Sequence, residues 1–318
     1  MSQEKKLVSV IIPAYQHQEY ICECIESVLA QTYPLLELIL IDDSSTDGTM
    51  LAAESMRERC EHRFVRTIIM SKEKSGVASS CNLGIEMAHG EYIYLIASDD
   101  VALPHTIETL ATVLDTDEDC VLAVGDNAFI DSRSSRIGWD KERNAVSLGN
   151  AEFKTFGDYL GLNNAGGTRE HFGTYGALLR DNHVPNGYIM RRSALLQAGG
   201  YKKEAILEDW HMNLQLSKIG SMRYIPEVLF LYRWHARNTI KKYENLKSHE
   251  EVYRKICSME HEYALSHGYG KILKRRDPDS LRNRYHRMRR RLLLAVNALC
   301  YINKKRRILR LGRFEFHW

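Results

Sequence analysis

Apolar and polar positions follow two rhythms along this chain, and the switches between them mark out strands and helices. Leu7-Val8-Ser9-Val10-Ile11-Ile12 is a nearly continuous apolar run stopped by Pro13, the pattern of a strand covered on both faces. Residues 19–31 then place Ile21, Ile25, Val28 and Leu29 at helical spacing, which predicts an amphipathic helix. The same succession returns three more times. A strand at Leu36–Ile41 precedes a helix from Met50, and a strand at Phe64–Met70 precedes a helix over Gly76–Met87 that His89-Gly90 stops. A strand at Tyr92–Ile96 precedes a helix that starts near Leu103 and runs through Leu114. Cys120–Ile130 is a further strand-like run. From Asp131 to Pro185 the periodicity fades among Gly and Asn residues, the mark of a binding loop or lid. Beyond it, Gly187–Arg191 reads as a strand and Ser193–Ala198 as a short helix ending at Gly199-Gly200. Glu208-Asp209-Trp210 opens a helix to Lys218, and Val228–Trp234 is the last strand. Everything after Glu244 reads as helical.

Four rounds of strand followed by helix predict an α/β protein with a doubly wound, mostly parallel sheet and right-handed crossovers. At 318 residues the chain has room for one large domain and a smaller appendage. The seven cysteines are scattered, and none is paired at a zinc-ligand spacing, which fits a reducing compartment better than a disulfide framework. Met1–Lys6 is polar and leads straight into a strand, so the expectation is a cytoplasmic protein without a signal peptide. The net charge of +3 hides an asymmetry: Lys271–Trp318 holds sixteen Lys and Arg against three Asp and Glu, and the preceding residues are net acidic. A basic tail on an acidic body points to an anionic partner outside the main fold.

The candidate chemistry lies at the carboxyl ends of strands, where open α/β sheets bind ligands. Asp99-Asp100 follows the Tyr92–Ile96 strand with no Lys or Arg nearby in sequence. Two hard oxygen donors there suit Mg²⁺ or Mn²⁺ carrying a phosphate, and a solvated helix cap is the competing reading. Asp42 through Thr49 follows the second strand. Its carboxylates can accept from a nucleobase or ribose, or the segment is only a capped turn. Tyr15, just past Pro13 at the matching end of the first strand, is placed to stack on a base or to pack at the rim.

Val10-Ile11-Ile12-Pro13-Ala14-Tyr15, Ile41 through Thr49, Asn82-Leu83-Gly84-Ile85, Ala88-His89-Gly90-Glu91-Tyr92-Ile93 and Ser98-Asp99-Asp100 resemble the GT-A glycosyltransferases of family 2. So do Gly199-Gly200-Tyr201, Glu208-Asp209-Trp210 and Tyr232 through Asn238, in the right order over roughly residues 7 to 240. The resemblance implies a Rossmann-like GT-A sheet flanked by helices, with a catalytic domain over 1–240. Residues 1–130 would be its nucleotide-sugar half and 131–240 its acceptor half, and 241–318 a helical basic extension. It also implies a nucleotide-diphosphate sugar donor, UDP-linked in this reading, a glycan or lipid-diphosphate-linked acceptor of surface-polysaccharide assembly, and inversion at the anomeric carbon. By position, Pro13 and Tyr15 would line the base pocket, Asp42 would meet the base with Asp43 nearby, and Asp99 would approach the ribose or the metal. Asp100 and His235 would hold Mn²⁺ or Mg²⁺ on the diphosphate, His235 also matching a place that is often purely structural. Asp209 would be the base that deprotonates the acceptor hydroxyl, its alternative being a helix N-cap, with Glu208 shaping a sugar pocket. Trp210 would stack on the acceptor or belong to the core, and Arg233 would pair with phosphate or brace the acidic turn.

Two departures stand out. Ala97 replaces the usual first acid of the central turn, and Ser80-Cys81-Asn82 lacks the usual arginine, for which Lys72 or Lys74 would have to substitute. In the tail, Leu281, Tyr285, Met288, Leu292, Ala295, Leu299 and Ile302 form one apolar stripe flanked by cations. That stripe fits a helix lying on an anionic membrane, a helix packed on the catalytic domain, or a homodimer seam. No nucleic-acid motif accompanies the charge. A nucleotidyltransferase is the rival enzyme, but Pro13-Ala14-Tyr15-Gln16-His17 is not the glycine- and basic-rich loop it needs. A non-catalytic glycan- or nucleotide-binding module is the rival outside enzymes.

Overall fold

The computed structural model describes residues 4–163, 171–243, 246–276, 308–311 and 314–317, in two compact units, 1–244 and 245–318. In the first unit the chain runs β1 (Val8–Ala14), α1 (Ile21–Leu29), β2 (Leu36–Asp42), α2 (Thr49–Glu54), α3 (Arg57–Arg63), β3 (Arg66–Ser71), α4 (Val77–Met87) and β4 (Tyr92–Leu95). These four strands pair in parallel in the order β3-β2-β1-β4, as the apolar runs predict. β1 is the axis: Val8, Val10, Ile11 and Ile12 are fully buried, since both faces carry helices. On one face α4 lies so close that a Cβ at Gly84 would come within 2.6 Å of the Ile11 side chain.

The chain continues through β5 (Val101–Ala102), α5 (Thr106–Thr116), β6 (Cys120–Ile130), β7 (Arg136–Trp139), β8 (Ala145–Val146), α6 (Phe156–Tyr159) and α7 (Tyr175–Leu178). It closes with β9 (Ile189–Arg191), α8 (Arg192–Gln197), α9 (Glu208–Leu216) and β10 (Ser221–Arg233). The full order is β3-β2-β1-β4-β9-β6-β10-β5. The parallel pattern holds through β4; β9 then enters antiparallel to both β4 and β6, while β6 and β10 pair in parallel and β5 caps β10 in antiparallel. The sheet is therefore mixed. β10 is also longer than the apolar run Val228–Trp234 suggests. Its first half crosses Pro226 and carries exposed Arg223 and Glu227, and the register with β6 shifts between Ile225 and Val228.

Within the aperiodic stretch after Asp131, β7 and β8 form a hairpin held by an aromatic cluster. Phe129 and Trp139 stack at 4.0 Å between ring centroids, and Trp234 and Phe156 close around them. Asp126 of β6 anchors the segment, accepting from the Gly157 N–H at 2.7 Å and the Asn163 amide at 2.9 Å.

The second unit contains α10 (Leu246–Met259), α11 (His261–Ser266) and α12 (Gly270–Arg276), as the helical pattern predicts. It does not stay helical. β11 (Ile308–Leu311) and β12 (Phe314–His317) pair as an antiparallel hairpin, and in each strand apolar and polar residues are mixed at a spacing that a two-residue period also fits. The apolar stripe of Leu281–Ile302 lies outside the described residues. Among the described residues, no helix is long and apolar enough to cross a membrane.

Candidate active site

The carboxyl ends of β1, β2 and β4 gather Tyr15, Asp42-Asp43 and Asp99-Asp100 along one edge of the sheet. Asp42 ends β2 and is buried. Its Oδ2 accepts from the Ser45 N–H at 3.0 Å and the Ser71 hydroxyl at 2.9 Å, while its Oδ1 is buried with no partner among the described residues. Asp43 is fully engaged in another task. It accepts from Lys72 and from the N–H groups of Ser75 and Gly76, both at 2.9 Å, and so fastens the β3–α4 loop. Burial works to raise its carboxyl, but those donors outweigh it and hold Asp43 below the usual carboxylate range. Lys72 is thus committed to Asp43. Lys74 lies over the exposed Tyr15 ring, 4.1 Å from its centroid, and hydrogen-bonds the Tyr15 hydroxyl. Pro13 is the penultimate residue of β1, opposite Ile41.

The second pair divides differently. Asp99 faces two imidazoles: His235 Nε2 lies 2.9 Å and His17 Nε2 3.8 Å from its Oδ2. One ligand atom from each of His17, Asp99 and His235 falls within 4.8 Å of the others, a donor set that fits a divalent cation. Burial acts to raise Asp99, yet the hydrogen bond from His235 and the nearby His17 hold it lowered. Asp100 lies outside this group. Its Oδ1 accepts the Arg233 N–H at 2.8 Å and its Oδ2 is buried without a partner among the described residues, so burial, reinforced by the Asp99 charge, pushes it well up. The structure thus places Asp99, rather than Asp100, with His235.

Of the two roles open to Arg233, the geometry favours the brace. The side chain is fully buried, donating from Nε to the Asp99 carbonyl at 2.6 Å and from Nη2 to Glu23 at 2.6 Å, with its plane 4.7 Å from the Tyr20 ring centroid. It fixes the backbone of the acidic turn from below.

At the start of α9, Asp209 accepts from the Asn182 amide at 3.0 Å. Burial raises its carboxyl, and burial together with the Asp209 charge raises neighbouring Glu208 to about 7. Trp210 is not an acceptor platform. It is buried, and its indole N–H donates to the Leu178 carbonyl at 2.7 Å, so it ties α9 to α7. Cys81, standing where an arginine is usual, is a buried thiol pushed up by burial.

Three contributors were not legible as such in the sequence. His17 appears there only as the end of a turn, and Asn182 lies in the aperiodic stretch. Asn82 clamps the chain ahead of α9: its side chain accepts the Tyr201 N–H at 2.7 Å and donates to the Tyr201 carbonyl at 2.8 Å. That clamp explains Gly200, which has φ 69° and whose Cβ would come within 2.7 Å of Asn82 Oδ1. Two motifs far apart in sequence are one contact.

Comparison with known proteins bears on the fold and the family. The putative teichuronic acid biosynthesis glycosyltransferase TuaG of Bacillus subtilis (strain 168) is 39% identical over 100 residues, 31% of this chain and 38% of TuaG. Curated relatives with such identities are spanned over little more than a third of their own length. Among solved structures, S. aureus TarS 1–349 in complex with UDP-GlcNAc matches 79% of this chain and 65% of that chain, at 17% identity and a TM-score of 0.56. The mannosyltransferase PcManGT of Pyrobaculum calidifontis, in complex with GDP-Man and Mn²⁺, matches 94% of this chain and 81% of its own, at 16% identity and a TM-score of 0.57. These likenesses establish the fold as GT-A. The family model described as "Glycosyl transferase family 2" matches residues 9–181, more than half of the chain, and by that match the chain belongs to glycosyltransferase family 2.

Proposed function

We propose that this glycosyltransferase inverts the anomeric centre as it moves a sugar from a nucleoside-diphosphate donor, UDP-linked, to a hydroxyl of a glycan or lipid-diphosphate-linked acceptor in surface-polysaccharide assembly. The observation that carries the reading is the Asp99–His235 contact on the same sheet edge as the unpartnered, buried Oδ1 of Asp42. A buried acceptor without a donor is costly, and a base N–H relieves that cost on binding. Tyr15 and Pro13 form the rim over that base. Asp99 and His235 would hold a Mn²⁺ or Mg²⁺ ion, which would supply positive charge toward the departing diphosphate. Asp209 acts from the other side of the site. Its carboxylate takes the proton of the acceptor hydroxyl as that oxygen bonds to the anomeric carbon, and the bond to the diphosphate breaks with its electron pair leaving on the nucleotide. Burial makes Asp209 a stronger base than a solvated carboxylate, and Asn182 aims it. The basic segment 271–318 brings the enzyme to an anionic membrane where such an acceptor resides.

Release of nucleoside diphosphate from a panel of nucleotide sugars, with and without Mn²⁺, tests the activity. Asp209→Asn is expected to lower turnover by about 10²- to 10⁴-fold with donor affinity little changed. Full turnover in that variant would sink the assignment of the base.

A further inference from the structure

We infer that His17 is a direct ligand of the divalent cation, which makes the site a two-imidazole, one-carboxylate centre that selects Mn²⁺ over Mg²⁺. The inference rests on the reading of Asp99 and His235 as cation ligands. His17 lies in the connection between β1 and α1, and its backbone is pinned from three sides. Gln16, just before it, takes φ 56° and donates its N–H to Ser45 Oγ at 2.9 Å. The His17 N–H donates to Thr49 Oγ1 at 2.9 Å, and its carbonyl accepts from the N–H groups of Tyr20 and Ile21, both at 2.9 Å, where α1 begins. A residue so held in a connecting turn has a fixed side-chain direction, and here the ring points at Asp99.

The two rings differ in how they are held. His17 Nδ1 lies 2.8 Å from the hydroxyl of buried Ser98, which orients the ring so that Nε2 faces Asp99 at a distance too long for a hydrogen bond. That is the disposition of a metal-bound imidazole, one ring nitrogen toward the ion and the second oriented by an outer partner. His235 is set the other way. Its Nδ1 accepts the Arg237 N–H at 3.2 Å, which leaves the proton of the neutral ring on Nε2, donated to Asp99 at 2.9 Å. Before His235 binds a cation through Nε2 that proton must leave, whereas His17 Nε2 holds no hydrogen bond to Asp99 that a cation would have to break. Imidazole nitrogen favours later first-row divalent ions, whereas Mg²⁺ prefers an all-oxygen shell, so a second imidazole tilts the site toward Mn²⁺.

The test uses the full chain in the presence of UDP and follows Mn²⁺ binding by the EPR signal of the free aquo ion, with Mg²⁺ measured by competition. His17→Gln, which keeps a polar group near Ser98, is expected to weaken Mn²⁺ at least as much as loss of an outer-shell partner does, roughly 10- to 100-fold. Mg²⁺ affinity should change far less, so the discrimination between the two ions narrows. Pulsed EPR of the unmodified protein should show two directly bound ¹⁴N nuclei and that of His17→Gln one. Unchanged Mn²⁺ affinity in His17→Gln, or weaker binding with both nitrogens retained, overturns the role of His17 alone. One bound nitrogen in the unmodified protein overturns it without recourse to the variant. Failure of the unmodified protein to bind Mn²⁺ overturns the cation reading of Asp99 and His235 as well.

Discussion

Two aspartate pairs flank β1 at the carboxyl edge of the sheet, and they divide their work in opposite orders. After β2 the second residue, Asp43, is tied down by Lys72 and two backbone N–H groups, and the first, Asp42, keeps a buried oxygen free. After β4 the first residue, Asp99, faces the imidazoles, and the second, Asp100, turns inward to the Arg233 N–H. The surroundings decide which member meets substrate. A lysine from the next loop neutralises one pair, whereas the other has only a braced arginine beneath its backbone and two histidines above its carboxylate. Adjacent carboxylates are therefore not interchangeable units.

The sharpest way to break this contrast is within the second pair. Asp99→Asn is expected to reduce turnover about 10²- to 10³-fold, the scale of one lost electrostatic contact to a developing charge, and to weaken Mn²⁺ binding. Asp100→Asn should leave Mn²⁺ affinity nearly unchanged, since Asp100 turns inward to the Arg233 N–H and lies outside the group of His17, Asp99 and His235. Equal losses from the two variants, read by Mn²⁺ titration, would erase the distinction. In the first pair, Asp42→Ala should weaken UDP binding about tenfold, the size of one hydrogen bond to a charged group, by calorimetry. Asp43→Asn should instead cost stability, about 1–3 kcal/mol by denaturant unfolding, with UDP affinity largely kept. Its pH signature follows from the lowered carboxyl. That contribution is present above the unfolded-state value and disappears as pH falls through the folded one, so Asp43→Asn should flatten the acid side of the stability curve.

The smallest effect concerns the third acidic pair, Glu208-Asp209. Because Asp209 is raised, the acid limb of kcat/KM should lie above the ordinary carboxylate range. Asn182 donates to the ionised form and lowers Asp209, so Asn182→Ala should move that limb further up in a pH–rate profile. An unmoved limb would detach Asn182 from the base.

The succession of strands and helices through β4 was legible because β1 and β2 are buried on both faces and the helices on one, and burial writes itself into apolar spacing. Strand direction was not. Ile189-Met190-Arg191 has no feature that distinguishes parallel from antiparallel, and only its partners decide. The first half of β10 escaped because Arg223 and Glu227 face out where the chain bulges, and the hairpin of β11 and β12 because stretches of four residues are too short to separate the two periods. At the site, the positions of Asp42, Asp99, His235 and Asp209 were readable from motif order. The part taken by His17 was not, since it arises from a backbone turn and a serine 81 positions away.

β9 has only three residues, yet it fills the gap between β4 and β6. A ribosome delivers β4 and β6 long before Ile189 emerges. Until then, both strands present an unpaired row of backbone donors and acceptors to whatever else is nearby. The nascent chain must cross this interval with two sticky edges open. Premature termination anywhere between residues 131 and 188 leaves them open for good, so such truncated products are expected to accumulate as aggregates rather than as an isolated nucleotide-binding half.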